Sequence, residues 1–253
     1  MTRMTVGVSL KAYFGRAQAR DWFSGVADLA KAHAAVRSGD VEVFVAPSYL
    51  QVDDALRAFE GTGVQVCVQD VSAYGRGAYT GEVTALELVE SGVRFAEIGH
   101  AERRRLFHET DEVVAAKTSA ALAEGIVPVL CLGETAQDGV ERAVSDTLAQ
   151  LDSALRDAPN GRVVVAYEPV WAIGAAEPAP VDHITAVTRA VRARLAADPR
   201  RPDSSVIYGG SAGPGLLTSL GEGVDGLFLG RFAHDPAAFS AVLDEAARAA
   251  ATG

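Results

Sequence analysis

The stretch VVVAYEPVWAIGAA, residues 163–176, begins as a buried strand and ends as a loop. Its first five residues are apolar and three are valine. A continuous Val-rich run, rather than an alternating one, is the pattern of a parallel strand covered on both faces. A lone carboxylate, Glu168, ends the run, and Pro169-Val170-Trp171 follows directly. Proline fixes its own φ, so the chain leaves the strand through a stiff hinge. A carboxylate at the mouth of an apolar layer is partly desolvated. Its proton affinity rises, which makes it a candidate general base.

The same pattern recurs along the chain. Strands are predicted at 5–9, 41–46, 64–69, 94–98, 126–131, 163–168, 205–208 and 226–229. The segments between them read as amphipathic helices. Ile184, Val187, Val191 and Leu195 form one apolar stripe, and Val144, Leu148, Leu151 and Leu155 form another. Eight strand–helix alternations within 253 residues, with no low-complexity linker, predict α/β architecture: one (β/α)₈ barrel domain spanning 1–253. The rival is an open doubly wound sheet. Its usual glycine-rich first turn is missing, since the turn here reads SLKAYFG, residues 9–15.

Composition narrows the function. The net charge is −10, which argues against a nucleic-acid partner. A small anionic ligand is still allowed, because one lysine and a few backbone N–H groups suffice to hold it. No apolar run is long enough to span a membrane, and no secretory leader is evident at the start of the chain. The two cysteines, Cys67 and Cys131, lie inside apolar runs. Neither a disulfide framework nor zinc-ligand spacing is present, so a cytoplasmic protein without metal or organic cofactor is expected.

In a barrel, chemistry collects where strands end. The first strand ends at Ser9 and Lys11, the fourth at EIGHAERR (97–104), the fifth at CLGE (131–134) and the sixth at Glu168. The seventh ends at YGGSAG (208–213) and the eighth at LGRF (229–232). One ammonium, one imidazole and one carboxylate are thus predicted to share a rim. A base, a group that polarises a carbonyl and a fixed positive charge are what proton transfer beside a carbonyl requires. Glycine-containing turns nearby allow backbone N–H groups to approach a phosphate.

EIGHAERR, AYEPVWAIG and YGGS resemble, in order and approximate spacing, the signatures of the triose-phosphate isomerase family. GAYTGE (77–82) is similar to the loop with which that family reaches into a second subunit. The likeness runs from Lys11 to the turn after the eighth strand. It implies that Glu168 is the base, His100 a neutral electrophile and Lys11 the electrostatic anchor, roles established for the family rather than read from spacing. It also implies that Gly174, Ser211 and the Gly230 turn hold phosphate. Glu97, Glu102 and Arg103 would be supporting ion-pair partners, and Cys131 a core residue near the base. Residues 169–171 and 172–176 would be the hinges and tip of a water-excluding lid. A homodimer is implied through residues 77–82. The implied reaction interconverts dihydroxyacetone phosphate and glyceraldehyde 3-phosphate through an enediolate, a step of glycolysis and gluconeogenesis.

The sequence departs from the family at several of these points. Asn usually stands two places before the lysine, where this chain has Ser9. The residue after His100 is Ala101 in place of Ser. The second lid hinge reads Ala175-Ala176-Glu177 rather than Thr-Gly-Lys. The glycine pair after the eighth strand is Gly230-Arg231. Arg231 either contacts phosphate through its guanidinium or points outward while the backbone does the binding. The outward reading is preferred at this stage. Ser9 and the Gly-Arg turn resemble a branch of the family that isomerises four-carbon ketose phosphates such as L-erythrulose 1-phosphate. A non-catalytic barrel that binds a phosphorylated metabolite is the alternative of another class.

Overall fold

The computed structural model describes residues 3–252. Eight parallel strands form the barrel: β1 (Met4–Ser9), β2 (Val41–Ala46), β3 (Val64–Val68), β4 (Phe95–Ile98), β5 (Val127–Leu132), β6 (Val164–Tyr167), β7 (Ser205–Tyr208) and β8 (Gly226–Leu229). Each pairs with its sequence neighbours, and β8 closes on β1 with Val6 opposite Leu227. This is the predicted (β/α)₈ barrel. Each strand lies within one residue of its predicted ends.

Side chains alternate between two apolar layers. Outward-facing Val6, Val8, Val43 and Val45 join the helices in a large outer core. Of the predicted stripes, Ile184, Val187, Val191 and Leu195 are buried, as are Leu151 and Leu155. Val144 and Leu148 are half-buried against the same core. Because both faces of every strand are covered, the strands read as mainly apolar runs, with Glu42 and Glu97 the charged exceptions.

The inner layer is separate and small. It contains Phe44, Phe95, Val129, Cys131, Val164, Ala166, Ile207 and Phe228. Phe44 stacks on Phe95 with ring centroids 4.9 Å apart and lies 5.6 Å from Phe228. These rings fill the barrel axis, and Gly7 makes room for them. A Cβ at Gly7 would come within 2.2 Å of Phe44 Cζ. Below the rings, buried Glu42 accepts from Arg3 at 2.6 Å and from Arg162 at 2.9 Å. The interior is therefore closed by ion pairs at the N-terminal ends of the strands and by aromatic rings in the middle. The C-terminal end remains open to ligand.

Residues 77–82 form an exposed loop, where the Tyr79 ring stacks on Tyr74 at 4.3 Å. Among the described residues, no helix is long and apolar enough to cross a membrane.

Candidate active site

A cavity of about 1150 Å³ opens at the C-terminal ends of the strands. Ser9, Lys11, His100, Glu168, Gly174, Ser211, Gly230 and Arg231 all line it. The structure thus gathers every predicted site residue at one place.

Glu168 lies one residue beyond β6, and its N–H donates to Leu132 O at 2.8 Å. That bond continues the β5–β6 ladder and fixes the backbone from which the carboxylate projects. The residue is 3% exposed. Gly209 packs against it so closely that a Cβ there would lie 2.8 Å from Glu168 Cγ. Oε2 is buried and has no hydrogen-bond partner. A buried carboxylate oxygen is costly to leave unpaired. This one stands 3.6 Å from His100 Nε2 at the cavity wall. Burial pushes the Glu168 carboxyl up to about 8, the neighbouring charge of Glu97 adds to the effect, and Lys11 opposes it. With Ala101 in place of serine, no side-chain hydroxyl is present at that position to satisfy the oxygen.

His100 begins the helix Ala101–Phe107. Its Nδ1 accepts from the Glu102 N–H at 3.1 Å, which leaves the ring proton on Nε2, facing Glu168. Burial and the Lys11 charge lower its pKa to about 4, so the ring is neutral at pH 7. A neutral imidazole can donate to a developing oxyanion without presenting a full charge to the base.

Lys11 adopts a left-handed backbone at φ 48°. Gln69 holds that conformation by donating to Lys11 O at 2.9 Å and to Ala46 O at 3.0 Å. Lys11 Nζ donates to Glu102 Oε1 at 2.9 Å. Burial lowers the Lys11 pKa, but Glu102, Glu168 and Glu97 outweigh burial and raise it overall, so the ammonium persists. Arg103 pairs with Asp70 at 2.8 Å and also bonds Glu109. Glu102 and Arg103 are thus ion-pair partners, as predicted. Cys131 is buried beside the base.

The other wall belongs to the lid. Val170–Ala172 form one 3₁₀ turn after the Pro169 hinge. Trp171 Nε1 donates to Glu134 Oε1 at 2.8 Å, and the Val170 N–H donates to Glu134 O at 2.9 Å. Buried Glu134 is also held by the Tyr167 hydroxyl at 3.0 Å and His183 Nε2 at 3.0 Å. Past the tip, the Ala179 N–H donates to the Tyr208 hydroxyl at 3.1 Å. Ser211 directs both its donors to lid carbonyls: its N–H to Ala172 at 3.3 Å and Oγ to Ala175 at 2.9 Å. Sequence reasoning gave Ser211 a phosphate, yet in this arrangement it clasps the lid. Gly230 has φ −106° and Arg231 opens a 3₁₀ turn, so the Gly-Arg pair needs no left-handed residue. Arg231 is exposed and is among the residues that line the cavity.

Gln69, Glu134 and His183 were missed as participants. Gln69 was detectable, being a polar residue at an inward position where β3 ends. Among the described residues, no three His, Cys, Asp or Glu side chains gather closely enough to hold a metal ion.

A base with a free, desolvated oxygen, a neutral imidazole 3.6 Å away and a fixed ammonium can move a proton between neighbouring carbons of a small anion. That capability, on a closed eight-stranded barrel, defines the class of proton-shifting isomerases. The family model described as triosephosphate isomerase matches residues 4–246. An L-erythrulose-1-phosphate isomerase of Pectobacterium atrosepticum is 47% identical over 96% of both chains. A triosephosphate isomerase of Leifsonia xyli is 41% identical over 81% of this chain and 83% of its own. An L-erythrulose-1-phosphate isomerase of Brucella abortus is 37% identical over 92% of both. The chain belongs to the triosephosphate isomerase family.

Proposed function

We propose that the protein isomerises a four-carbon ketose phosphate, L-erythrulose 1-phosphate, by proton transfer through an enediolate. One observation carries the choice of substrate: Ser9, short and hydrogen-bonded away to Glu97, stands where the three-carbon enzymes place an asparagine. The 47% identity to a relative bearing that activity's name supports the same choice. In this substrate the carbon that loses its proton carries a hydroxymethyl group in place of one hydrogen of dihydroxyacetone phosphate. A shorter side chain at the rim accommodates that addition.

Glu168 Oε2 removes the proton from C3, beside the C2 carbonyl. The electrons of the broken C–H bond form the C2=C3 bond, and the carbonyl oxygen takes up charge. His100 Nε2–H and Lys11 stabilise that oxygen. The protonated Glu168 then returns the proton to C2, the C3 hydroxyl passes its proton by way of His100 to the C2 oxygen, and the carbonyl re-forms at C3. The lid, held by Glu134, Tyr208 and Ser211, excludes water and keeps the enediolate from expelling phosphate. Phosphate is received by the Gly174 and Gly230 backbone, with Ser211 and Arg231 at the same mouth. The exposed loop at residues 77–82 supports assembly as a homodimer.

A second reading, interconversion of dihydroxyacetone phosphate and glyceraldehyde 3-phosphate, is favoured by the retained Lys11, His100 and Glu168 and by the Leifsonia xyli relative. Steady-state assays with both sugars separate the two. The expected result is a higher kcat/KM for L-erythrulose 1-phosphate, with Glu168→Gln lowering kcat by roughly 10²- to 10⁴-fold. Preference for the triose would install the second reading. Turnover of neither would leave a metabolite-binding barrel, and activity surviving in Glu168→Gln would remove Glu168 as the base.

A further inference from the structure

The reaction as described leaves one buried carboxylate unused. Glu97 projects inward from β4, is 3% exposed, and accepts a hydrogen bond from Ser9 Oγ on its Oε2 at 2.9 Å. Its Oε1 stands 4.0 Å from His100 Nε2. The pair therefore adjoins the imidazole that faces the base, whereas the Gly174 and Gly230 backbone is assigned above to the phosphate.

The direction of the Ser9 bond matters. A serine hydroxyl has one proton and two lone pairs. With its proton committed to Glu97, Ser9 can offer the cavity only lone pairs. Such a surface has no attraction for a carbonyl, an enediolate oxygen or a phosphate, all of which need donors. It suits an alcohol O–H. Dihydroxyacetone phosphate has one hydroxyl, on the carbon beside the carbonyl. L-Erythrulose 1-phosphate keeps that hydroxyl and adds a second on its terminal carbon, at the end remote from phosphate.

We propose that Ser9, its proton held by Glu97, accepts a hydrogen bond from the terminal hydroxyl of the four-carbon substrate. Ser9 is then the residue that reads substrate length, and Glu97 is the positioning residue that fixes its polarity. The inference rests on the four-carbon reading above. The relay from sugar hydroxyl to serine to carboxylate is charge-assisted, and each bond polarises the next. An asparagine at position 9 would present an amide donor to the same space and lose this selectivity.

The test compares Ser9→Ala, Ser9→Thr and Glu97→Gln with the parent protein, each first checked for an unaltered circular-dichroism spectrum. Two quantities are measured: KM for L-erythrulose 1-phosphate, and the competitive Ki of dihydroxyacetone phosphate, or its KM where it is turned over. Ser9→Ala is expected to raise the ratio of the first to the second by about tenfold or more, the range for losing one partner of a charge-assisted bond. Ser9→Thr, which keeps the hydroxyl, restores most of it, and Glu97→Gln falls between. If both quantities change by the same factor in Ser9→Ala, or neither changes, the assignment is wrong while the four-carbon reading stands. If the parent protein does not turn over L-erythrulose 1-phosphate, the substrate reading itself fails and takes the assignment with it.

Discussion

Two carboxylates flank one imidazole at the rim: Glu168 at 3.6 Å and Glu97 at 4.0 Å from His100 Nε2. Burial pushes Glu97 up to about 7 and Glu168 up to about 8, so the two titrate as a pair near neutrality. Lys11 draws both down, while Glu102 acts with burial on each. The base works only when ionised, so kcat/KM is expected to climb with pH, reach half its plateau near pH 8 and level off above it. Glu97→Gln removes a like charge facing the base, and the acidic limb should move to lower pH. A pH–rate profile of parent and variant checks this, and an unmoved limb would remove Glu97 as a contributor. The stability sign is opposite. Both native pKa values lie above the unfolded value near 4.5, so the contribution is full below that pH and lost as pH rises through 7 to 8. The site is least stable where it is most basic. Glu168 and His100 were legible because each follows a strand within a distinctive motif, and Lys11 because it lies just past the first strand. The Ser9–Glu97 bond was not, since 88 residues separate its partners and neither residue type announces the other.

At the scale of elements, the eight strands were legible because parallel strands covered on both faces are mainly apolar. Val41–Ala46, Ser205–Tyr208 and Gly226–Leu229 match their predicted bounds. The lid's anchorage was far less visible. His183 lies 49 residues from Glu134, on a helix whose apolar stripe accounts for its neighbours Ile184 and Val187, and nothing local marks it as a partner. Just past the lid, the chain is held by a bond from the Ala179 N–H to the Tyr208 hydroxyl. Tyr208→Phe leaves that buried N–H unpaired and loosens closure. The expected outcome is a fall in kcat/KM of about tenfold, with more inorganic phosphate released per turnover as water reaches the enediolate. A coupled phosphate assay run beside the isomerase assay reads both. A variant that loses rate without leaking phosphate would show that the lid does not guard the intermediate.

For the whole molecule, the exposed loop at residues 77–82, with Tyr79 stacked on Tyr74, is a surface suited to a second copy. Sedimentation velocity at micromolar concentration is expected to show a dimer, and Thr80→Arg is expected to shift it toward monomer. A parent protein that sediments as a monomer would contradict the assembly proposal. Charge acts at the same scale: at −10 the molecule repels anions at a distance, so attraction of a phosphorylated ligand must come from the cations at the mouth, Lys11, Arg104, Arg105 and Arg231, and from oriented backbone close to it. The three phenyl rings at the barrel's waist carry a further implication. Phe44, Phe95 and Phe228 block the axis, so traffic cannot pass straight through. Reactant and product share one doorway beneath one flap, and an occupied chamber must empty before it refills. The frequency with which that flap lifts therefore sets a ceiling on throughput, however fast the proton moves.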